Sequence, residues 1–248
     1  MASPASERIV RHDSGGICTL TLNRPNKLNA LDTEAFEALD AHLAQLERQS
    51  ESIGCVLLRG EGRGFCAGAD LNAMGKVPIP PTFKPGVIDR LSRLPQPVIA
   101  AVHGVCVTGG LELALACDFI LADQTARFAD THGKWGLVGA WGMAQRLSRR
   151  IGIPAAKKMM MTGCNVTAHD AHALGLVDIL CAADEFDEAI AGFAAEILAN
   201  SWHSNFAAKL MLREGEGLPL AQALARDHYH YPGNAPDHQD RIARFNRK

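Results

Sequence analysis

No apolar run in the 248 residues reaches membrane-spanning length; the longest, around Val98 to Val102, has the length of a buried strand. The opening stretch, MASPASERIVRHDSGG, lacks the apolar core of a signal peptide and makes a poor amphipathic targeting helix, so a cytoplasmic chain is expected. Paired cysteines are missing as well. The seven cysteines, Cys18, Cys55, Cys66, Cys106, Cys117, Cys164 and Cys181, are odd in number and scattered, with no C-x-x-C pair. That is the pattern of buried, reduced thiols rather than of a disulfide framework. Excess charge of one sign is also lacking. A formal net charge of −2 creates no positive field for nucleic acid or an anionic membrane, and neither is an expected partner. Gly60, Gly62 and Gly64 look superficially like a dinucleotide fingerprint, but G-x-G-x-x-G requires its third glycine one residue later. No acidic residue sits plausibly on a following strand end. His228, His230 and His238 crowd into DHYHYPGNAPDH without a cysteine or acid cluster spaced to converge on them. A solvated helix end is the reading there, and no metal is expected.

What is present is apolar residue in quantity: 47% of the chain, enough for a sizeable core in one large domain or a core with an appendage. Ile17 to Leu22 alternates and is rich in β-branched residues, which predicts a strand. Asp32 or Thr33 can cap a helix whose Phe36, Leu39, Leu43 and Leu46 form one apolar face. Cys55 to Leu58, Pro97 to Val102 and Phe119 to Ala122 read as buried strands, with a helix around Leu111 to Ala116. Lys76 to Pro85 holds four prolines and no period, and reads as a mobile loop. Strands and helices alternate at spacings that suggest crossover units, so the expected class is α/β. From about Ala182 the strands stop. Glu185 to Leu198, Phe206 to Leu212 and Pro219 to His228 read as helices of a C-terminal appendage.

Two glycine-bearing turns follow strands: GEGRGFCAGADL, Gly60 to Leu71, and HGVCVTGGLELALACD, His103 to Asp118. Gly109 and Gly110 open a helix, which leaves their N–H groups free to meet a developing negative charge. Glu112 sits in the first turn of that helix. It either merely favours the dipole or is a carboxylate held beside an oxyanion site, as proton transfer next to a thioester carbonyl would need. Further on, ADTHGKWG places His132 among an acid, a base and an indole. Alone, it reads either as catalytic or as an ordinary loop histidine. Asp130 could orient His132, but a separation of two residues does not guarantee contact, and capping a turn is the alternative role for Asp130. Cys66 and Cys106 read as small packing residues, since nothing near them argues for a depressed thiol pKa.

Together the two turns carry a resemblance. GFCAGADL followed some forty residues later by GGLELALACD resembles the crotonase, or enoyl-CoA hydratase/isomerase, superfamily. LNRPNKLNAL, PQPVIAAVHG and TAHDAHALGLVD resemble further motifs of that family in the expected order, so the likeness covers roughly residues 8 to 248. It implies a spiral of ββα units over 1–195 and a helical trimerisation region over 196–248, with a homotrimer or a homohexamer of paired trimers. It implies an acyl-CoA substrate, with coenzyme A as part of that substrate and no separate cofactor. It also implies that the N–H groups of Ala69 and Gly109 form the oxyanion hole. The loop of Cys66, Ala67, Ala69, Asp70 and Leu71 would curl around the coenzyme, Lys27 would approach a phosphate, and Phe245 and Lys248 would reach the coenzyme of a neighbouring subunit. A frayed tail is the alternative for the last two.

Hydratases of the family pair the glutamate of G-G-L-E, here Glu112, with a second one twenty residues on. That position is His132 here. Imidazole can accept and donate protons near neutral pH, but it can also donate a hydrogen bond where a carboxylate only accepts. The family's next-turn proline is Gly139, and Trp141 replaces a small residue, where it either walls the acyl pocket or packs in the core. Hydration of a 2-enoyl-CoA is the leading expectation because the Glu112 motif is intact. Isomerisation, decarboxylation or CoA-ester hydrolysis in the same site, or acyl-CoA binding with little catalysis, stay open because the second glutamate is missing.

Overall fold

The computed structural model describes residues 7–76 and 78–245. Strands β1 (Ile9–Ser14), β2 (Ile17–Leu22), β3 (Cys55–Gly60), β4 (Val98–Val102), β6 (Phe119–Asp123) and β9 (Ile179–Cys181) form the main sheet, in the spatial order β1-β2-β3-β4-β6-β9. The first two make an antiparallel hairpin, and every pairing from β2 to β9 is parallel. A smaller sheet holds β5 (Val105–Val107), β7 (Arg127–Ala129) and β8 (Val166–Thr167), in the order β5-β7-β8. Gly64 and Cys66 extend it by bridges to Gly104 and Cys106. Thus β3, β4 and β6 each leave the main sheet, add a short stretch to the smaller one, and only then enter a helix. That repeat is a spiral of ββα units.

The helices are α1 (Thr33–Leu46), α2 (Phe83–Arg93), α3 (Gly109–Leu115), α4 (Met143–Ile151), α5 (Ile153–Thr162), α6 (Ala168–Ala173), α7 (Phe186–Ala199), α8 (Trp202–Gly215), α9 (Leu220–Tyr229) and α10 (His238–Phe245). Asp32 caps α1 by accepting the Ala35 N–H at 2.9 Å. Phe36, Leu39, Leu43 and Leu46 are its buried stripe, as their spacing predicts. The central strands are buried on both faces, which is why they read as unbroken apolar runs. Val56, Leu58, Val98, Ala100, Val102, Ile120 and Ala122 face the large core beneath α1, α2 and α3. Their sequence neighbours Cys55, Leu57, Ile99, Ala101 and Leu121 face Phe186, Ile190, Ala194 and Ile197 of α7. Among the described residues no helix is long and apolar enough to cross a membrane.

The loop expected through Pro85 ends sooner. Helix α2 begins at Phe83, and Val87, Ile88 and Leu91 are its buried side. Pro85 falls in the first turn, where a missing N–H forfeits no intrahelical bond. The helix expected over Phe206 to Leu212 is longer, because the Ser201 hydroxyl caps it from Trp202 by accepting the Ser204 N–H.

One contact sets the position of everything that follows. The turn after β3 and the start of α3 meet backbone to backbone. A Cβ on Gly110 would lie 2.2 Å from the Cys66 carbonyl oxygen, and one on Gly68 would lie 2.8 Å from Gly109 N. Gly110→Ala therefore forces two backbones apart. Overpacking of this kind costs about 1–3 kcal/mol, expected as a lower urea midpoint at unchanged m-value. A midpoint equal to that of the parent would show that the turns separate freely.

Candidate active site

The Gly68–Ala69 turn is held from outside by the loop before α1. Leu31 N–H donates to Gly68 O at 2.8 Å and Leu31 O accepts from Asp70 N–H at 2.9 Å, so the intervening Ala69 N–H points away from Leu31. Arg24 spans Asp32 and Asp70 at 3.3 and 2.9 Å. The hydrogen bond from Arg24 holds the Asp70 carboxyl below the usual carboxylate range. Asn29 Nδ2 donates to Glu61 O at 2.9 Å and Gly64 O at 2.8 Å, which ties the same loop to the exit of β3. On the opposite side, Gly109 is the first residue of α3, and its N–H has no carbonyl in its own helix to meet. Neither this N–H nor that of Ala69 has an acceptor among the described residues. Covalent geometry puts Ala69 N within a few ångströms of Gly109 N, because it follows Gly68 directly.

Thr108, just before α3, has φ 55° and ψ −120°. A β-branched residue at positive φ is a true outlier and is held in place by its neighbours. Its N–H donates to Ala129 O at 2.9 Å, its carbonyl accepts the Glu112 N–H at 3.0 Å, and its hydroxyl shares a hydrogen with that of Thr131 at 2.6 Å. Strain here sets the angle at which α3 enters the site.

Glu112 is fully buried. Its Oε1 accepts the N–H groups of Trp141 at 2.7 Å and Met143 at 3.1 Å, so the loop before α4 is wrapped on one carboxyl oxygen. Its Oε2 is buried with no hydrogen-bond partner and lies 3.7 Å from His132 Nε2. Burial raises the pKa of the Glu112 carboxyl; the two N–H groups and the charge of His132 oppose that rise without cancelling it. His132 opens a 3-10 turn, His132–Trp135, directly after β7. Its Nδ1 meets Asp130 Oδ1 at 2.6 Å. Burial works against a charged imidazole, but the hydrogen bond and charge of Asp130, with the charge of Glu112, outweigh it, and His132 titrates above its ordinary value.

Glu112, Gly109, Ala69 and His132, the four proposed catalytic residues, therefore line one locus. Ala67 is partly buried and Leu71 exposed on the same loop, with Lys27 exposed at the end of the neighbouring 3-10 turn Pro25–Lys27. Cys66 stands apart: its thiol faces Asn29 O at 3.2 Å, and its N–H and C=O pair with Val105 and Val107. Its groups hold the loop rather than face out of it. Burial pushes its thiol up to about 12, in keeping with a packing role. Phe245 ends α10 and is exposed, while Lys248 lies outside the described residues. Trp141 is half-buried, edge-on to Phe36 with ring centroids 4.9 Å apart, and its indole lies over Gly109. The contact of Asp130 with His132, the conformation of Thr108 and the clamp by Asn29 carry no signature in residue spacing. Among the described residues no group of three or more His, Cys, Asp or Glu side chains could hold a metal ion.

Comparison with known proteins meets this geometry. A family model described as enoyl-CoA hydratase/isomerase matches residues 12–245. The short-chain-enoyl-CoA hydratase of Clostridium acetobutylicum is 31% identical over 88% of this chain and 85% of its own length. The 1,2-epoxyphenylacetyl-CoA isomerase of Escherichia coli K12 is 34% identical over 96% of this chain and 95% of its own. The crystal structure of an enoyl-CoA hydratase from Bacillus anthracis superposes with a TM-score of 0.91 at 28% identity, covering 97% of this chain and 96% of that one. The spiral is thus that of a crotonase-fold enzyme. With the family model spanning nearly its whole length, the chain belongs to the enoyl-CoA hydratase/isomerase family.

A methyl on Gly109 would lie 2.4 Å from Trp141 Cζ3, and the indole is backed by Phe36. Gly109→Ala is expected to displace Trp141, whose N–H holds Glu112, and to lower turnover at least about tenfold. Tryptophan fluorescence should shift while far-UV circular dichroism is retained. Parent-like turnover would mean that the indole yields without disturbing the carboxyl.

Proposed function

We propose that the chain adds water to a 2-enoyl-CoA thioester. One observation carries this reading: the unpartnered Oε2 of Glu112, buried opposite His132 Nε2 at 3.7 Å, one turn from the free Gly109 N–H. The reading places a water at the apex of that pair, at hydrogen-bond distance from both atoms. The N–H groups of Ala69 and Gly109 donate to the thioester oxygen. As the water oxygen bonds to C3, the C2=C3 electron pair moves toward the carbonyl, and the two N–H groups stabilise the resulting enolate charge. The proton released by the water passes to the Glu112–His132 pair, and the proton the pair already held goes to C2. The pair ends with one proton, as it began. A carboxyl raised by burial suits the acid half of this exchange.

The loop of Ala67, Ala69, Asp70 and Leu71, with Lys27 beside it, supports binding of the coenzyme A part of the substrate, which the scheme needs in no other role. Exposed Leu212, Leu220, Leu224, Ile242 and Phe245 on α8, α9 and α10 support self-association through this region as a trimer or paired trimers. Phe245 and Lys248 would there serve a neighbouring subunit's coenzyme. The indole over Gly109 supports short acyl chains.

Crotonyl-CoA should lose its conjugated enoyl-thioester absorbance and yield 3-hydroxybutyryl-CoA. Glu112→Gln is expected to cut this turnover roughly 10²–10⁴-fold with CoA-ester binding retained. Turnover that ignores this substitution would remove Glu112 from the mechanism. Trp141→Ala keeps the backbone N–H on Glu112 and removes the indole. It is expected to raise kcat/KM for longer 2-enoyl-CoA chains relative to crotonyl-CoA. An unaltered ratio would place the acyl chain away from Trp141.

A further inference from the structure

We propose that Asp130 is a positioning residue: it keeps the hydrogen of His132 on Nδ1, directs Nε2 at Glu112, and so makes Asp130, His132 and Glu112 one proton-carrying unit. This rests on the acid/base role given to Glu112 above. Asp130 is almost wholly buried at the end of β7. Its Oδ1 accepts two hydrogens from the same residue two positions on, the backbone N–H of His132 at 3.1 Å and the ring at 2.6 Å. The first bond is an Asx turn, which folds residue i+2 back over residue i. The second follows from that fold. A carboxylate only accepts, so the contact places the ring hydrogen on Nδ1 and leaves Nε2 for Glu112.

The turn is locked to its surroundings. Thr131, between the two residues, shares its hydroxyl hydrogen with Thr108 at the entrance of α3, so the Asp130–His132 turn and the helix of Glu112 hold one register. Gly139 completes the seat: a Cβ there would lie 3.0 Å from His132 Cε1 and 3.2 Å from Nδ1. A side chain at 139 would press on the ring. The charged groups facing the imidazole among the described residues are Asp130 from its own turn and Glu112 from α3. Lys134 of the same turn is exposed and runs along Gly163. The backbone of Gly139 lies against the ring as well.

With Nδ1 committed to Asp130, the coupled pair of Nε2 and Oε2 holds a single proton. It resides either on Glu112, facing a neutral ring, or on His132, facing a carboxylate. Asp130 stabilises the second form by its charge, so the unit takes up the proton of water on one side and releases its own to carbon on the other. The raised pKa values of both partners agree with this sharing.

The test uses the full chain with ¹⁵N-labelled histidine, with His132 assigned by a His132→Gln variant. In the parent, the neutral ring should carry its hydrogen on Nδ1 and titrate above the ordinary histidine value. Asp130→Asn keeps an oxygen for the His132 N–H, and so the turn, but removes the charge. His132 should then titrate at lower pH and lose its fixed tautomer. With crotonyl-CoA, kcat should fall roughly 10²-fold at little changed KM, and the alkaline limb of the pH profile should move to lower pH. A parent ring hydrogen on Nε2 overturns the proposal without any variant. So does an Asp130→Asn protein whose turnover falls while the His132 titration and tautomer stay as in the parent, since Asp130 is then only a turn former. If the parent does not hydrate crotonyl-CoA, the hydratase reading fails, while the histidine spectra still judge Asp130.

Discussion

Everything in the site depends on two backbones approaching more closely than side chains allow. The turn after β3 lies against the start of α3, with Gly68 facing Gly109 N and Gly110 facing Cys66 O. Only residues without a Cβ permit that approach. The approach brings two N–H groups from distant parts of the chain to one place, each lacking a partner among the described residues. The rest serves to hold the two turns there. Asn29, Arg24 and the Leu31 backbone clamp the first from outside, while strained Thr108 and the smaller sheet fix the second. Removing Cβ atoms weakens local preference, so the stability must come from the surrounding core, where the main sheet is buried on both faces.

On this frame sits a carboxyl that is half satisfied. Glu112 Oε1 is bound by two backbone N–H groups, which fixes the side chain, whereas Oε2 is buried without a partner. Leaving a buried acceptor unpaired costs about 1–3 kcal/mol, which a hydrogen bond from a reacting group at this point would relieve. His132, reaching in from the turn after β7, stops 3.7 Å short of it. The gap is too long for a hydrogen bond and short enough for the two groups to titrate as a coupled pair. Asp130 and Gly139 seat the ring in that position.

Legibility followed length and period. β2, α1 and α7 were readable because each repeats apolar residues over enough positions to show a period of two or near four, and β3, β4 and β6 because each is an unbroken apolar run. β5, β7, β8 and β9 have two or three residues each, too few to show any period. α4 buries only Met143 and Leu147 among polar neighbours, so its stripe is too thin to stand out. α2 hid behind the prolines that start it. In the site, Glu112 and Gly109 were legible as a helix opening on glycines, and the family likeness drew Ala69 and His132 to them. Asp130 stood open between orienting His132 and capping a turn, because contact across two residues needs an Asx turn that spacing alone does not reveal. Trp141 and Phe36 are far apart in sequence and meet only in the packed chain.

The proposed hydration requires the N–H groups of Ala69 and Gly109 to polarise a thioester carbonyl. Isotope-edited infrared spectroscopy of a saturated acyl-CoA, labelled with ¹³C at its thioester carbonyl, reads this without turnover. Bound to the protein, the carbonyl stretch should fall to lower wavenumber than in water, because two preorganised N–H groups draw electron density onto its oxygen. A stretch that keeps its solution value while the ligand is demonstrably bound would contradict the account, since the two turns would then meet for packing alone.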